Sequence, residues 1–546
     1  MKNNFKYIAA VAIISLIFLV LQWIFVVPAN PFIIESFPFF LLYFTAIGMA
    51  VFLINIGKDY SLFFNSYGAH IEIDKKKYIA PALCLIVPFV IFLISNIISS
   101  PFFTWGILKN QIGDIKERKF AEDFKEQDIH SVPVVDDRLA IKLAEKKLGE
   151  RPELVSQVKV TTPTIQLYKN KLVWVLPLEH SGFFKWLSNM SGTPGYIIVS
   201  ATDQKDVEFV GNHKIKYQKE AYLLDNLKRK AQYKDLFSGL VDYSFELDEE
   251  GVPHWVVTTY QNKFMFGIRE ATGAVIVNAT TGEAKKYSIK NIPEWVDRVQ
   301  PEEFIMQQIN NNGRYIKGIF NFSQSNMYRT SPGYSIIYNN GKCYLFTGIT
   351  SVSNDDGAIA FYLVDMKDKT TYKYMMSGAT ENAAAASAEG KVQHLGYKAS
   401  NPIILNIEGV PTYFMTLRDK EDLIKQYALV NIEDYTTVGN GETKEEALVS
   451  YKKHIRNLIS ENTEVNKEDI KNINGTVKRI TSEINNGNVV YKFILNEVSN
   501  KVFEVSTKLN EYISLTKEGD IVNIEYLETK NVIEKVLKFK NTTLNK

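Results

Sequence analysis

Gly273-Ala-Val-Ile-Val-Asn-Ala-Thr-Thr-Gly-Glu-Ala-Lys-Lys-Tyr287 sets the pattern for most of this chain. A short apolar run meets a polar turn ending in Gly282, and a strand of alternating polarity follows. That pattern is the signature of a β-hairpin. Just upstream, Gly251-Val-Pro-His-Trp-Val-Val-Thr258 reads as another strand, opened by a Gly and a Pro.

Working outward, the same pairing recurs. Four times a strand bearing an aromatic is followed by an apolar run that ends in Val and a small or polar residue. Trp174 goes with Val199-Ser-Ala-Thr-Asp203, and Trp255 with Val277-Asn-Ala-Thr-Thr281. Tyr344 goes with Val364-Asp-Met-Lys-Asp368, and Tyr413 with Val430-Asn-Ile-Glu-Asp434. Copies two and four share Gly-Val-Pro, at Gly251 and Gly409; copies one and three share an Asn-containing turn, at Lys169-Asn-Lys171 and Asn339-Asn-Gly341. The order therefore reads as a duplicated pair, with Trp174 matched to Tyr344 and Trp255 to Tyr413. Helices are expected between copies at Tyr217 to Phe237 and Pro301 to Gln308. Another is expected at Thr443 to Leu458, where Thr443 and Glu446 have capping-box spacing.

The second copy resembles the end of a PepSY domain. Trp255-Val-Val and Val275-Ile-Val-Asn-Ala-Thr-Thr-Gly-Glu283 match its Trp-bearing strand and its apolar-x-apolar-Asp-x-x-x-Gly strand. Asn278 stands where that family usually has Asp, and only this copy keeps the Gly. The resemblance implies small α+β modules outside the membrane that bind or restrain envelope enzymes. It supplies no catalytic residue.

Towards the N-terminus, Tyr7 to Val27, Phe37 to Ile56 and Tyr78 to Ile98 are near-unbroken apolar runs. Each has the length that spans a hydrocarbon core as a helix. None contains Asp, Glu, Lys, Arg or His, which argues for an anchor rather than an ion path. Lys2, Lys6, Lys58 and Lys75 to Lys77 fall on one side; the other has none between the first two spans, then Lys109, Lys116, Arg118 and Lys119 after the third. By the positive-inside rule the large C-terminal part is then extracytoplasmic. The first run is too long for the apolar core of a signal peptide, so it reads as an anchor. After the spans, Ile107 to Asp128 reads as an amphipathic helix, and Val135 to Leu148 as a helix stopped by Gly149. Strands follow at Thr164 to Leu167, Leu172 to Leu178, from Tyr196, and at Val207 to Val210.

Ser460 to Lys471 reads as a polar linker. Beyond it, five short alternating strands are expected between Thr476 and Phe539, with turns at Asn486-Gly487 and Glu518-Gly-Asp520. Five strands in so short a span imply a small β-barrel, OB-like or SH3-like.

The chain has 546 residues, near-balanced charge (+2) and two cysteines, Cys84 and Cys343. This excludes a disulfide framework in the soluble part and any global electrostatic case for nucleic acid. No His-Glu-x-x-His, P-loop or Gly-x-Ser-x-Gly occurs. Ser-x-x-Lys appears three times, at chance frequency. Asn354-Asp-Asp-Gly357 reads as a hairpin turn rather than a calcium loop, since one acidic turn is far short of an oxygen cage.

The expected fold is α+β, with transmembrane helices in 1–105 and a membrane-proximal helical segment in 106–150. Pairs of α+β modules fill 151–300 and 301–460, and the barrel fills 472–546. The expected function is non-enzymatic: a multi-pass membrane protein that binds or regulates a cell-envelope partner and carries no cofactor, metal or catalytic residue. Trp174, Trp255, Tyr344 and Tyr413 form the candidate binding surface, although core packing is the commoner fate of strand aromatics. The alternatives are an envelope enzyme of unrecognised type and a cytoplasm-facing scaffold that touches protein or nucleic acid through the barrel. A nucleic-acid partner is not expected if the body lies outside.

Overall fold

The computed structural model describes residues 2–65, 75–126, 128–352, 354–462, 470–485, 488–507, 509–527 and 533–544. The chain divides into two compact units, Met1–His454 and Ile455–Lys546.

In the first unit, the helices Lys2–Phe25, Phe37–Asn65 and Ile79–Ile98 contain windows long and apolar enough to cross a membrane. They touch through the few polar groups they carry. Ser15 Oγ meets Tyr43 Oη at 2.9 Å, and Lys58 donates to Tyr7 Oη at 3.0 Å.

The expected helix over Ile107 to Asp128 is not formed. A short helix, Pro101–Lys109, ends before Gly113, whose φ of +87° turns the chain away. Ile115–Arg118 is then a strand, paired in parallel with Thr371–Tyr374. Phe120 and Phe124 stack on each other at 4.5 Å across a single helical turn and bury against Tyr374.

Four sheets follow, each preceded by a helix and antiparallel throughout except where Ile115–Arg118 joins the third. Helix Asp137–Gly149 precedes the first sheet, whose central strands are Lys171–His180 and Tyr196–Ser200. Leu227–Lys234 precedes the second, centred on Pro253–Phe264 and Gly267–Asn278. Glu302–Arg314 precedes the third, centred on Lys342–Ser351 and Asn354–Asp365. Glu381–Lys391 precedes the fourth, centred on Val410–Arg418 and Ile424–Asn431. Three of these helices depart from expectation, the fourth, Glu381–Lys391, because no helix was expected there. The second does not begin at Tyr217, because the Lys216 and Tyr217 N–H groups donate to the Ala279 carbonyl and hold that segment extended. The third runs on from Gln308 to Arg314.

The Val-plus-polar ending has a local cause. Ser200, Asn278, Asp365 and Asn431 each follow the last apolar residue, and each side-chain oxygen accepts from the backbone N–H groups two and three residues on. Small polar side chains fold the chain back in this way without help from distant contacts. The next residue's carbonyl then receives the segment that leads into the preceding helix. Ala201 accepts from Val134 and Val135, and Ala279 from Lys216 and Tyr217; Met366 accepts from Val299 and Gln300, and Ile432 from Ala379.

The turn before the aromatic strand groups differently from the sequence motifs. Lys169-Asn170, Asn340-Gly341 and Glu408-Gly409 all have positive φ at both residues, the mark of two-residue type I′ hairpins. The second sheet uses a longer turn, closed by Asp248 and Gly251. The fourth copy thus turns like the first and third, although its Gly-Val-Pro matches the second.

Register differs in one sheet. Trp174 lies opposite Val199, Trp255 opposite Val277, and Tyr413 opposite Val430. In the third sheet Leu345 faces Val364, and Tyr344 faces Asp365. A shift by one residue sends a side chain to the other face. Leu345 accordingly packs with Ile305 and Ile309 of the preceding helix, while Tyr344 joins a different core.

The cores pair the sheets. Val173, Val175 and Tyr196 of the first sheet share a core with Trp255, Val257, Val275 and Val277 of the second. Tyr344, Phe346, Phe361 and Leu363 of the third share one with Tyr413, Met415, Ala428 and Val430 of the fourth. Asn354–Gly357 open a strand rather than a turn; the side chains of 354–356 lie outside the described residues. The last helix of the first unit begins at Lys444 with the anticipated capping box: Glu446 N–H donates to Thr443 Oγ1, and Glu446 Oε2 accepts from Thr443 N–H.

In the second unit, Ile470–Asn485, Asn488–Leu495, Val502–Ser506, Ile521–Leu527 and Ile533–Asn541 close into a barrel. The first strand pairs with the second and fourth, and the third and fifth run parallel. Its interior is filled by Phe493, Leu495, Phe503, Ile513, Val522 and Ile524. Of the expected linker, Ser460 belongs to the helix that runs to Asn462, 463–469 lie outside the described residues, and Lys471 is already in the first strand. Asn486-Gly487 also lies outside them. Glu518-Gly-Asp520 is not a hairpin turn. It joins the 3-10 helix Glu511–Leu515 to the fourth strand, with Gly519 at φ +90°.

A candidate binding cleft

Of the four aromatics expected to form a contact surface, three are core residues. Trp255 is 1% exposed, Tyr413 0% and Tyr344 8%. Each sits mid-strand facing a neighbouring sheet or helix, where burial of a large ring is favourable and water is excluded. Trp174 is different. It is half-buried, and its Nε1–H donates to the Val135 carbonyl at 2.7 Å. Trp255 makes the corresponding bond to Tyr217, at 2.9 Å, in a closed core.

Trp174 lines a cleft of 1040 Å³ between the first, third and fourth sheets. Its other walls are Ser131 and Pro133 to Asp137, which lead into the first helix; Arg298 and Glu302 at the start of the third; 332–338, where a loop enters the strand Ser335–Asn339; and Met415, Thr416 and Arg418 with Asn401. Tyr334 is 41% exposed at this wall. Ion pairs brace the walls, and the one between Asp136 and Arg418 is long-range. Arg418 Nη1 lies 2.6 Å from Asp136 Oδ2, and its Nε donates to Thr416 at 3.0 Å. The other oxygen of Asp136 caps the first helix by accepting from Leu139 N–H. Arg298 Nη1 lies 2.9 Å from Glu302, and Nη2 lies 3.7 Å from Asp242. Burial opposes the Arg298 charge, but Asp242 and Glu302 outweigh it and hold the guanidinium above its ordinary pKa.

Beneath the cleft lies a buried acidic cluster. Glu246 accepts from Ser244 Oγ at 2.6 Å and from Asp297 N–H at 3.0 Å. Burial pushes its carboxyl up to about 7, helped by the nearby Asp297. Asp297 is also raised by burial, and it accepts from Tyr338 Oη at 2.9 Å. Cys343, in the same region, is buried and its thiol is pushed up by desolvation, which makes it a packing residue rather than a nucleophile. Among the described residues, no group of three His, Cys, Asp or Glu is placed to hold a metal ion.

The cleft thus offers an aromatic face, hydroxyl and amide groups, and guanidinium groups already paired with carboxylates. Its volume is at the upper end for small-molecule sites. Nothing local in the sequence announces it, since Asp136 and Arg418 are 282 positions apart.

No family model and no curated protein matches this chain. Solved structures with some likeness include a B. megaterium levansucrase mutant, at 11% identity over 76% of this chain and 97% of that one, with a TM-score of 0.19. A Trypanosoma rangeli sialidase matches at 11% identity over 69% and 53%, TM-score 0.16. A Synechocystis apocarotenoid oxygenase mutant matches at 9% over 50% and 49%, TM-score 0.14. At these TM-scores the likeness assigns neither a fold nor an activity to this chain.

Proposed function

We propose that this protein is a membrane-anchored, extracytoplasmic binding or regulatory protein, and that the cleft beside Trp174 receives a segment of a cell-envelope partner. The observation that carries this reading is the cleft itself: a half-buried Trp and an exposed Tyr334 in one lining, with both guanidinium groups paired to carboxylates. Such a lining favours holding a ligand over proton transfer, because each guanidinium and its carboxylate stabilise one another's charged form. Orientation is argued from the lysines. The body contacts the ends of the spans at Ala29, Phe32 and Ser99, whereas Lys2, Lys6 and Lys75 to Lys77 belong to the opposite ends.

Each of the four sheets is proposed to be one copy of a PepSY-like α+β module, arranged as a duplicated pair. The recurring polar cap, the carbonyl that receives the incoming segment and the two shared cores support this reading. The barrel is proposed to be OB-like. In support, its third and fifth strands run parallel and a short helix separates its third and fourth strands.

The test is site-specific photocrosslinking in cells with Tyr334→p-benzoylphenylalanine, with Tyr435→p-benzoylphenylalanine as an exposed control outside the cleft. A discrete adduct at 334 alone, abolished by Trp174→Ala in a chain that still folds, is expected. An adduct indifferent to Trp174 contradicts the proposal. A covalently altered small product instead of an adduct would favour an enzyme.

A further inference from the structure

The soluble body exposes two groups of large apolar side chains, and both are tied to the same end of the helical bundle. The first group comprises Phe184, Leu187, Leu223, Leu224 and Phe237; Phe184 is 80% exposed and Leu224 66%. It is assembled from three segments. The short helix Phe183–Ser188 meets the 222–224 segment through Phe183 and Tyr222, whose rings are 5.0 Å apart. Arg229 then links that segment to the first span. Its Nε donates to the Leu223 carbonyl at 2.8 Å, and its guanidinium lies 4.1 Å above the Trp23 ring. Leu236, next to Phe237, accepts from Ala29 N–H at 2.7 Å, just beyond the end of the same span.

The second group is Phe320 and Phe322, the latter 84% exposed. Their loop is held by the short helix Pro101–Lys109, which begins three residues after the third span ends. Lys109 Nζ donates to the Ile316 carbonyl at 2.8 Å, and the Phe102 and Phe320 rings lie 6.4 Å apart. Phe102 and Phe103 are themselves more than half exposed.

Between the two groups the body is fixed to the spans. Phe266, at the tip of the second sheet's long hairpin, packs between Phe37 and Phe92, with ring centroids 5.1 and 5.5 Å away. Ser99 Oγ and Asn262 Nδ2 add hydrogen bonds at 3.5 and 2.8 Å. The body is therefore seated on the ends of the helices, and both apolar groups continue that seat outward.

We propose that these two groups are interfacial anchors that enter the leaflet around the spans, at the boundary between headgroups and acyl chains. Two observations identify lipid as the occupant. Both groups are continuous with span ends through named contacts, so the bilayer crossed by the spans meets them. Both also have the composition of that depth: Phe and Leu, with Lys185 and Lys317 close by to reach phosphates. Contiguous exposed apolar surface on a soluble face marks a docking site, and here the nearest apolar phase is the membrane itself. The consequence is orientation: anchored on both sides of the bundle, the body lies against the membrane and cannot swing on a stalk. This inference rests on the three spans and not on the cleft.

The full-length protein, reconstituted alone in phosphatidylcholine vesicles, tests it. Phe184→Cys and Phe322→Cys are each labelled with an environment-sensitive nitrobenzoxadiazole probe, with Lys420→Cys as a solvent control. The two native cysteines are a buried core residue and a residue within a span, and the unsubstituted protein supplies the labelling background. Blue-shifted emission at 184 and 322, quenched by doxyl-labelled lipid and protected from aqueous iodide, is expected, with the reverse at 420. Iodide quenching without lipid quenching at 184 and 322 overturns the proposal. Protection from both quenchers overturns it too, because the surface is then covered by protein, a second copy of this chain. Lipid quenching at one position only overturns the two-sided seat.

Discussion

The second and third sheets carry the same polar cap, the same incoming segment and the same order of strands, yet they place their aromatics on opposite faces. Trp255 faces the helix side opposite Val277 and donates to the Tyr217 carbonyl. In the third sheet Leu345 holds that place, and Tyr344 is turned one residue away. The backbone devices that fold the chain back are thus held in common, while the identity of the core side chain is free to change. A motif built on the aromatic alone misaligns the third copy by one residue; one built on Val and its following polar residue does not.

Truncating the two helix-facing residues has the largest expected effect. Trp255→Ala removes a fully buried ring and leaves the Tyr217 carbonyl without its donor. It is expected to cost about 4 kcal/mol, and Leu345→Ala about 3 kcal/mol. Tyr344→Phe, on the other face, is expected to cost under about 1 kcal/mol. Thermal melts in detergent measure the order. If Tyr344→Phe is the most damaging of the three, the register argument fails.

The next effect is on pH. Glu246, in the second sheet, is held near 7, so between about 4.5 and 7 the folded chain binds more protons than the unfolded one. Stability therefore falls as pH rises through that window, by about 3 kcal/mol for this group. Glu179 in the first sheet, also raised to about 7 chiefly by burial, adds a fall of the same sign. Glu246→Gln is expected to flatten the dependence between pH 5 and 8. An unchanged slope would show that Glu246 is not the group responsible.

Smallest are the caps. Asn278→Ala and Asp365→Ala each remove one side-chain oxygen that accepts from two backbone N–H groups and are expected to cost about 1–2 kcal/mol. The two costs should be alike if the turns are the same device. A cost confined to one sheet would mean that the recurrence is only local geometry.

Much of the architecture was legible in the sequence because its causes are local. Three apolar runs set three helices, period-two strands were found close to their true positions, and Thr443 with Glu446 marked a helix start. What was missed depends on distant partners. Ile115–Arg118 is a strand only because Thr371–Tyr374 lies beside it. The helix Glu381–Lys391, capped by Thr380, is an Ala-rich run whose weak amphipathicity hid it. The cleft was invisible for the same reason, since its walls come from three sheets and the Asp136–Arg418 pair joins residues 282 positions apart. Of the aromatics singled out as a surface, only Trp174 reaches the cleft. A strand's alternation does not say which of its two faces a neighbouring sheet will cover.

The side of the membrane on which the body sits decides the account most directly. Lys205, exposed in a turn of the first sheet, and Lys75, exposed at the opposite end of the spans, provide two reporters. Lys205→Cys and Lys75→Cys are each treated with a membrane-impermeant maleimide in intact cells and again after permeabilisation. Labelling of 205 in intact cells, with 75 labelled only after permeabilisation, is the predicted result. The reverse pattern would place the body and its cleft in the cytoplasm and contradict an envelope partner.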